Sequence, residues 1–239
     1  RDGAHGAYAL IEVASARPDA DTGAELESAL GQALEDGLIA DATIGTSGAQ
    51  NAALWRLREG VPEAQTREGA SIKHDVSVPL SRLPEFLERA GAACLAEMPG
   101  LRPCGFGHFG DGNIHFNLSQ PLGMEPAEFL AAWGRFNRIV HDLVHALGGS
   151  IAAEHGVGLI KREELARYGD PVGLDLMRRL KAALDPEDLL NPGKVLVRTD
   201  RADGLRKFVH RAIIRRGDGC RTATPRRRPA GRPVALSRC

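Results

Sequence analysis

Between Gly105 and Asn117 the chain reads GFGHFGDGNIHFN, placing two histidines, two asparagines, an aspartate and four glycines in thirteen residues. Imidazole nitrogens bind metals and carry protons near neutral pH. In one extended strand His108 and His115 would stand about 23 Å apart. Two ligands of a single ion must instead lie within a few Å of each other, each bond being about 2 Å long. The chain therefore has to fold back between them, and Asp111-Gly112 is a dipeptide that turns hairpins. Beyond it Asn113, His115 and Asn117 alternate with Ile114, Phe116 and Leu118. That period of two predicts a strand with a polar and an apolar face. The alternative reading of the stretch alone, a Gly-rich hairpin with ordinary polar residues, is the less favoured one.

A second polar cluster runs from Ser150 to Gly158, with Glu154 and His155 at its centre. Phe136, Ile139, Val140, Leu143, Val144 and Leu147 form a helical stripe ahead of it, which Gly148-Gly149 ends. Glu154 and His155 then lie past a short apolar segment, among small residues that let a ligand come close. Two imidazoles and a carboxylate commonly hold a divalent ion that keeps open coordination positions.

GFGHFGDGNIHFN, AAEHGVGLIKR and LNPGKVL, in this order, together with WRLREGVPEAQTREGASIKHDVSVP, resemble the C-terminal half of FAD-linked oxidases of the D-lactate and D-2-hydroxyglutarate dehydrogenase type. The resemblance covers residues 5–198. It implies metal ligands at His108, His115 and Glu154, a catalytic histidine at His155, and substrate contacts from Arg58, Lys73 and Asn117. It also implies a flavin contact at Asn191. Pro62 departs from the pattern, standing where some hydroxyglutarate-type members carry a substrate-contacting threonine. The implied activity is oxidation of a small D-2-hydroxy acid, of the lactate, glycolate or 2-hydroxyglutarate class, to the 2-oxo acid. The implied cofactors are FAD, bound mainly by a domain upstream of this segment, and a divalent metal such as zinc or manganese. No G-x-G-x-x-G follows a strand, so a Rossmann-type dinucleotide site is not expected within these residues.

The elements that must position these residues read as an α+β fold, an antiparallel sheet with helices on one face. Strands are expected at Ala7–Val13, at residues 42–46 and over Lys73–Val78. Helices are expected over Ala24–Asp36, over Gln50–Gln65 with an interruption at Pro62, and from an N-cap at Ser81 to about Glu97. From Lys161 the pattern is helical through Leu174, Met177, Leu180 and Leu184, ending at Asp185-Pro186. The expected organisation is a cap domain over 1–150, a helical segment over 151–198 returning to the FAD-binding domain, and a basic, disordered tail over 199–239.

The net charge of zero conceals two opposed parts. Residues 201–239 hold twelve basic and two acidic side chains, about +10, whereas the first 200 residues hold 19 basic and 29 acidic ones, about −10. The Arg- and Pro-rich tail cannot bury enough apolar surface to fold alone. Within it, only Leu205 to Ile214 could form a short amphipathic helix. Its dispensability is expected, and nucleic acid is not expected as a partner. No apolar run approaches the roughly 20 residues that span a bilayer. Four cysteines without CxxC spacing point to a reduced, cytoplasmic setting. The first residue is not Met, and a strand-like segment begins almost at once, so an N-terminal part is expected to be missing. A homodimer is the candidate assembly. Two rival classes are a His/His/Glu metal hydrolase, active without flavin, and a non-catalytic module whose basic tail binds nucleic acid.

Overall fold

The Asp-Gly turn closes the expected hairpin. In the computed structural model, which describes residues 5–197, β2 (Arg102–His108) runs antiparallel to β3 (Asn113–Ser119), with His108 opposite Asn113 and Arg102 opposite Ser119. β1 (Ser71–Ser77) lies antiparallel on the other side of β3, so the strand order is β1-β3-β2. Two glycines make the close approaches possible. A Cβ on Gly107 would stand 2.0 Å from the Asn113 carbonyl oxygen. Gly112 has φ +74°, and a Cβ there would meet the Val78 carbonyl oxygen at 2.2 Å. Neither position accepts a larger residue without backbone movement.

Alternation divides the sheet into two faces. Ile72, His74 and Val76 of β1 and Ile114, Phe116 and Leu118 of β3 form the mainly apolar one. It is covered by α4 (Leu83–Glu97) through Phe86, Ala90 and Cys94, and by α6 (Trp133–Ala146) through Phe136, Val140, His141 and Val144. Phe86 meets Phe116 edge to face at 5.5 Å, and α5 (Pro126–Ala131) adds the buried Phe129. Each such side chain contributes about 1.5–3 kcal/mol of apolar burial. The apolar face also carries His74, whose Nδ1 lies 2.8 Å from the Phe116 carbonyl oxygen and whose ring meets that of His141 edge-on. The α+β class and the helix-covered antiparallel sheet are as expected.

Several boundaries differ from the sequence reading. Ser81 does not cap α4, because it lies inside a 3-10 turn, Leu80–Arg82, closed by the Arg82 N–H on the Pro79 carbonyl at 2.8 Å. Pro84 does sit in the first turn of α4. Ala7–Val13 and residues 42–46 form no strands. Both stretches are non-helical but lie in no ladder, and Tyr8 and Ile11 remain 76% and 55% exposed. A strand-like pattern yields a strand only where an edge pairs with it. α1 (Thr22–Glu35) is capped by Asp21, which accepts from Ala24 N, and α2 (Gly48–Glu59) by Ser47. α3 (Val61–Arg67) begins with Pro62 in its first turn, which is the expected interruption.

The described chain divides into two units, the first ending at Glu154 and the second beginning at His155. At the end of the first, Ser77 and Ser150 exchange backbone hydrogen bonds of 2.9 and 2.8 Å, which sets the segment before Glu154 alongside β1. Gly149 permits this, since its Cβ would stand 2.1 Å from the Ser77 carbonyl oxygen. The second unit contains α7 (Arg162–Tyr168) and α8 (Pro171–Leu184), the latter capped by Asp170 on Gly173 N. After α8, Asp185 pairs with Lys181 and accepts from the N–H groups of Leu189 and Leu190. These bonds, the Lys181 ammonium first, hold its carboxyl below the usual range. The basic stretch 199–239, with its expected helix over 205–214, lies outside the described residues. Among those described, no helix is long and apolar enough to cross a membrane.

Candidate metal and carboxylate site

The opposite face of the sheet carries the polar residues. Strand register places Lys73, Asp75 and Ser77 of β1 beside Asn117, His115 and Asn113 of β3, which in turn lie beside Cys104, Phe106 and His108 of β2. His115 is thus flanked by Asp75 and Phe106. A carboxylate oxygen of Asp75 lies within 4.8 Å of an imidazole nitrogen of His115. Glu154 reaches the same place from the segment after Ser150. Its N–H donates to Asp75 Oδ2 at 2.9 Å, its Oε1 accepts from Asn113 Nδ2, and its Oε2 stands 3.9 Å from His115 Nε2. Two ligand atoms bound at about 2.1 Å to one ion can be no more than about 4.2 Å apart. The spacing of His115 and Glu154 therefore fits a shared divalent cation, and the imidazole and carboxylate donors suit one. A cavity of about 250 Å³ opens beside them, lined by Ser77, Asp111, Asn113, Ala152, Ala153 and Glu154.

His108 stands on the same face, opposite Asn113 at the end of the hairpin. It is the diagonal neighbour of His115, a relation of about 7–8 Å that aromatic side chains can bridge. Arg58 of α2 holds its guanidinium 5.1 Å from the centre of the Phe106 ring, and that ring lies 5.1 Å from the His115 ring. Lys73 is exposed and lies across from Asn117, which is 4% exposed and donates through Nδ2 to Gln65 Oε1 at 2.7 Å. Gln65 of α3 is itself buried, and its Nε2 meets no partner among the described residues. Cys104 lies beside Asn117, and burial pushes its thiol up.

Asp75, Gln65 and the Asn113–Glu154 contact were missing from the sequence-derived site. The one signal available was the alternation in β1, which puts Asp75 on the same face as Lys73. His155 and Asn191 belong to the second unit. His155 is exposed and follows Glu154 in the chain. Asn191 has a left-handed backbone, φ 48°, and its Oδ1 accepts from Lys194 Nζ at 3.1 Å.

Residues 1–195 match the family described as FAD linked oxidases, C-terminal domain. The chain belongs to this family. Similar proteins include the D-2-hydroxyglutarate dehydrogenase of Xanthomonas citri pv. viticola, 39% identical over 191 residues, covering 80% of this chain and 40% of the relative. The D-2-hydroxyglutarate dehydrogenase of Stutzerimonas stutzeri is 35% identical over 191 residues, covering 79% of this chain and 40% of the relative. The mitochondrial D-2-hydroxyglutarate dehydrogenase of Bos taurus is 37% identical over 189 residues, covering 79% of this chain and 33% of the relative. As an FAD-linked oxidase C-terminal domain, the chain spans about two fifths or less of the length of these relatives.

Proposed function

We propose that this chain supplies the substrate side of a flavin-dependent dehydrogenase that oxidises a small D-2-hydroxy acid to the 2-oxo acid. The observation that carries the reading is the convergence of His115 and Glu154 on a sheet face that also bears Lys73, His108 and, beside Phe106, Arg58. His108, His115 and Glu154 would hold a divalent metal, zinc or manganese. When bound, the ion would lower the pKa of the substrate hydroxyl, and FAD would accept the hydride from the α-carbon.

The chain's own residues then have distinct tasks. Arg58 grips the substrate carboxylate through parallel N–H donors, Lys73 adds a second positive charge, and Asn117 contributes a polar contact. His155 takes the hydroxyl proton on a ring nitrogen, acting as the general base. Asn191 contacts the flavin. The proposed substrate is a 2-hydroxy acid. The relatives named for 2-hydroxyglutarate favour that acid, whereas Pro62 removes a hydroxyl that could contact it. A cytoplasmic setting belongs to the same proposal, consistent with the free thiols of Cys94 and Cys104.

The test is turnover by the full-length protein with FAD and an artificial electron acceptor, using D-lactate, glycolate and D-2-hydroxyglutarate. Activity should disappear on chelation and return with zinc or manganese. His155→Ala should lower kcat by about 10²–10⁴-fold. Turnover by this variant at the unsubstituted rate would remove His155 from the mechanism. An absence of turnover with every 2-hydroxy acid would overturn the reading.

A further inference from the structure

We infer that Asp75 and Asn113 form a two-point clamp on Glu154, leaving one carboxylate oxygen, Oε2, for a divalent ion beside His115; the inference rests on the metal reading above. Asp75 Oδ2 holds the Glu154 backbone N–H at 2.9 Å, and Asn113 Nδ2 holds Oε1. The remaining oxygen, Oε2, is the one 3.9 Å from His115 Nε2. Glu154 is a long side chain on an irregular segment, 45% exposed even with these contacts in place. With them, its backbone and its carboxylate are both tied to the sheet that carries His115.

The clamp residues are themselves held firmly. Asp75 and Asn113 are each 6% exposed and lie in the ladder on adjacent strands, Asp75 opposite His115 and Asn113 opposite Ser77. The Ser77–Ser150 bridge fixes the segment four residues before Glu154. The Asn113 amide has only one orientation that serves a carboxylate, with its NH2 group toward Glu154. In that orientation Oδ1 is buried and has no partner among the described residues. A buried acceptor left unmatched is costly, so an arrangement that retains one is held in place by what the other end of the amide does. Engaging Oε1 has a chemical effect as well. A carboxylate bound through one oxygen takes one coordination position instead of two, which keeps positions open for the hydroxyl and carboxylate oxygens of a 2-hydroxy acid.

Asp75 and Asn113 are therefore positioning residues, and metal binding reads their effect without any turnover. Zinc affinity of the full chain would be measured by competition with a chromogenic chelator, and ligand geometry by the visible spectrum of the Co²⁺-loaded protein. Circular dichroism confirms folding. Asn113→Leu, similar in size but without donors, and Asp75→Ala should each weaken zinc binding about 10–100-fold and alter the Co²⁺ bands. Asp75→Asn keeps an acceptor oxygen for the Glu154 N–H and should stay within a few-fold of the unsubstituted chain. If Asp75→Ala does not fold, Asn113→Leu and Asp75→Asn decide. Unchanged zinc affinity and an unchanged Co²⁺ spectrum in folded Asn113→Leu would overturn the clamp while the metal reading stands. Failure of the unsubstituted chain to bind either ion would overturn the metal reading and the clamp with it.

Discussion

Arg58 connects to His115 through a single aromatic ring, since its guanidinium lies over Phe106 and Phe106 lies against His115. Arg58→Ala should raise KM for 2-hydroxy acids in the full-length protein by about 10–100-fold, the loss of a charge-assisted hydrogen bond of about 1.5–3 kcal/mol. Its thermal midpoint should move little, because a half-buried cation–π contact is worth about 1 kcal/mol. An unchanged KM would remove Arg58 from the site. A second residue-scale prediction concerns Cys94, which is fully buried and whose thiol is pushed up to about 12, by desolvation first and by Glu97 second. The unfolded chain releases this proton from about pH 9, whereas the folded chain keeps it. Stability should therefore fall as pH rises from about 9 toward 12, by about 1.4 kcal/mol per unit from this group. Denaturant unfolding at pH 8, 9 and 10 should show a steeper decline for the unsubstituted chain than for Cys94→Ala; equal slopes would contradict the assignment.

At the scale of elements, the hairpin depends on Gly107 and Gly112, where neighbouring backbone leaves no room for a Cβ. Gly112→Ala should destabilise the first unit by about 1–3 kcal/mol, combining a left-handed backbone with a clash against the Val78 carbonyl. A denaturant midpoint within error of the unsubstituted chain would refute this. β1, β3 and α6 were legible in the residues because each carries a full period of two or of 3.6 over a buried face. α5 was not, being six residues long with too little stripe to register. Ala7–Val13 reads as a strand because side-chain pattern reports what a segment could pair with, and cannot report whether an edge awaits it. The site follows the same division. His108, His115 and Glu154 stand out as motif residues, whereas Asp75 and Gln65 acquire meaning only from a register joining residues 40 to 79 positions apart. Spacing along the chain carries no trace of such pairings.

For the whole molecule, the family match ends at residue 195, and the strongly basic stretch begins just beyond it. Removing residues 201–239 should leave zinc affinity and the unfolding transition of the remaining chain unchanged. A loss of either would make that stretch part of the working unit. The central strand β3 also governs how this protein can tolerate change. It presents Asn113, His115 and Asn117 to one side and Ile114, Phe116 and Leu118 to the other, so site and core are interleaved along a single seven-residue segment. One residue inserted inside that segment would flip every residue beyond it to the other face, sending polar side chains into the apolar layer and apolar ones toward the polar face. Length variation in this protein should accordingly be confined to the turn between His108 and Asn113, and within β3 evolution is restricted to exchanging residues in place.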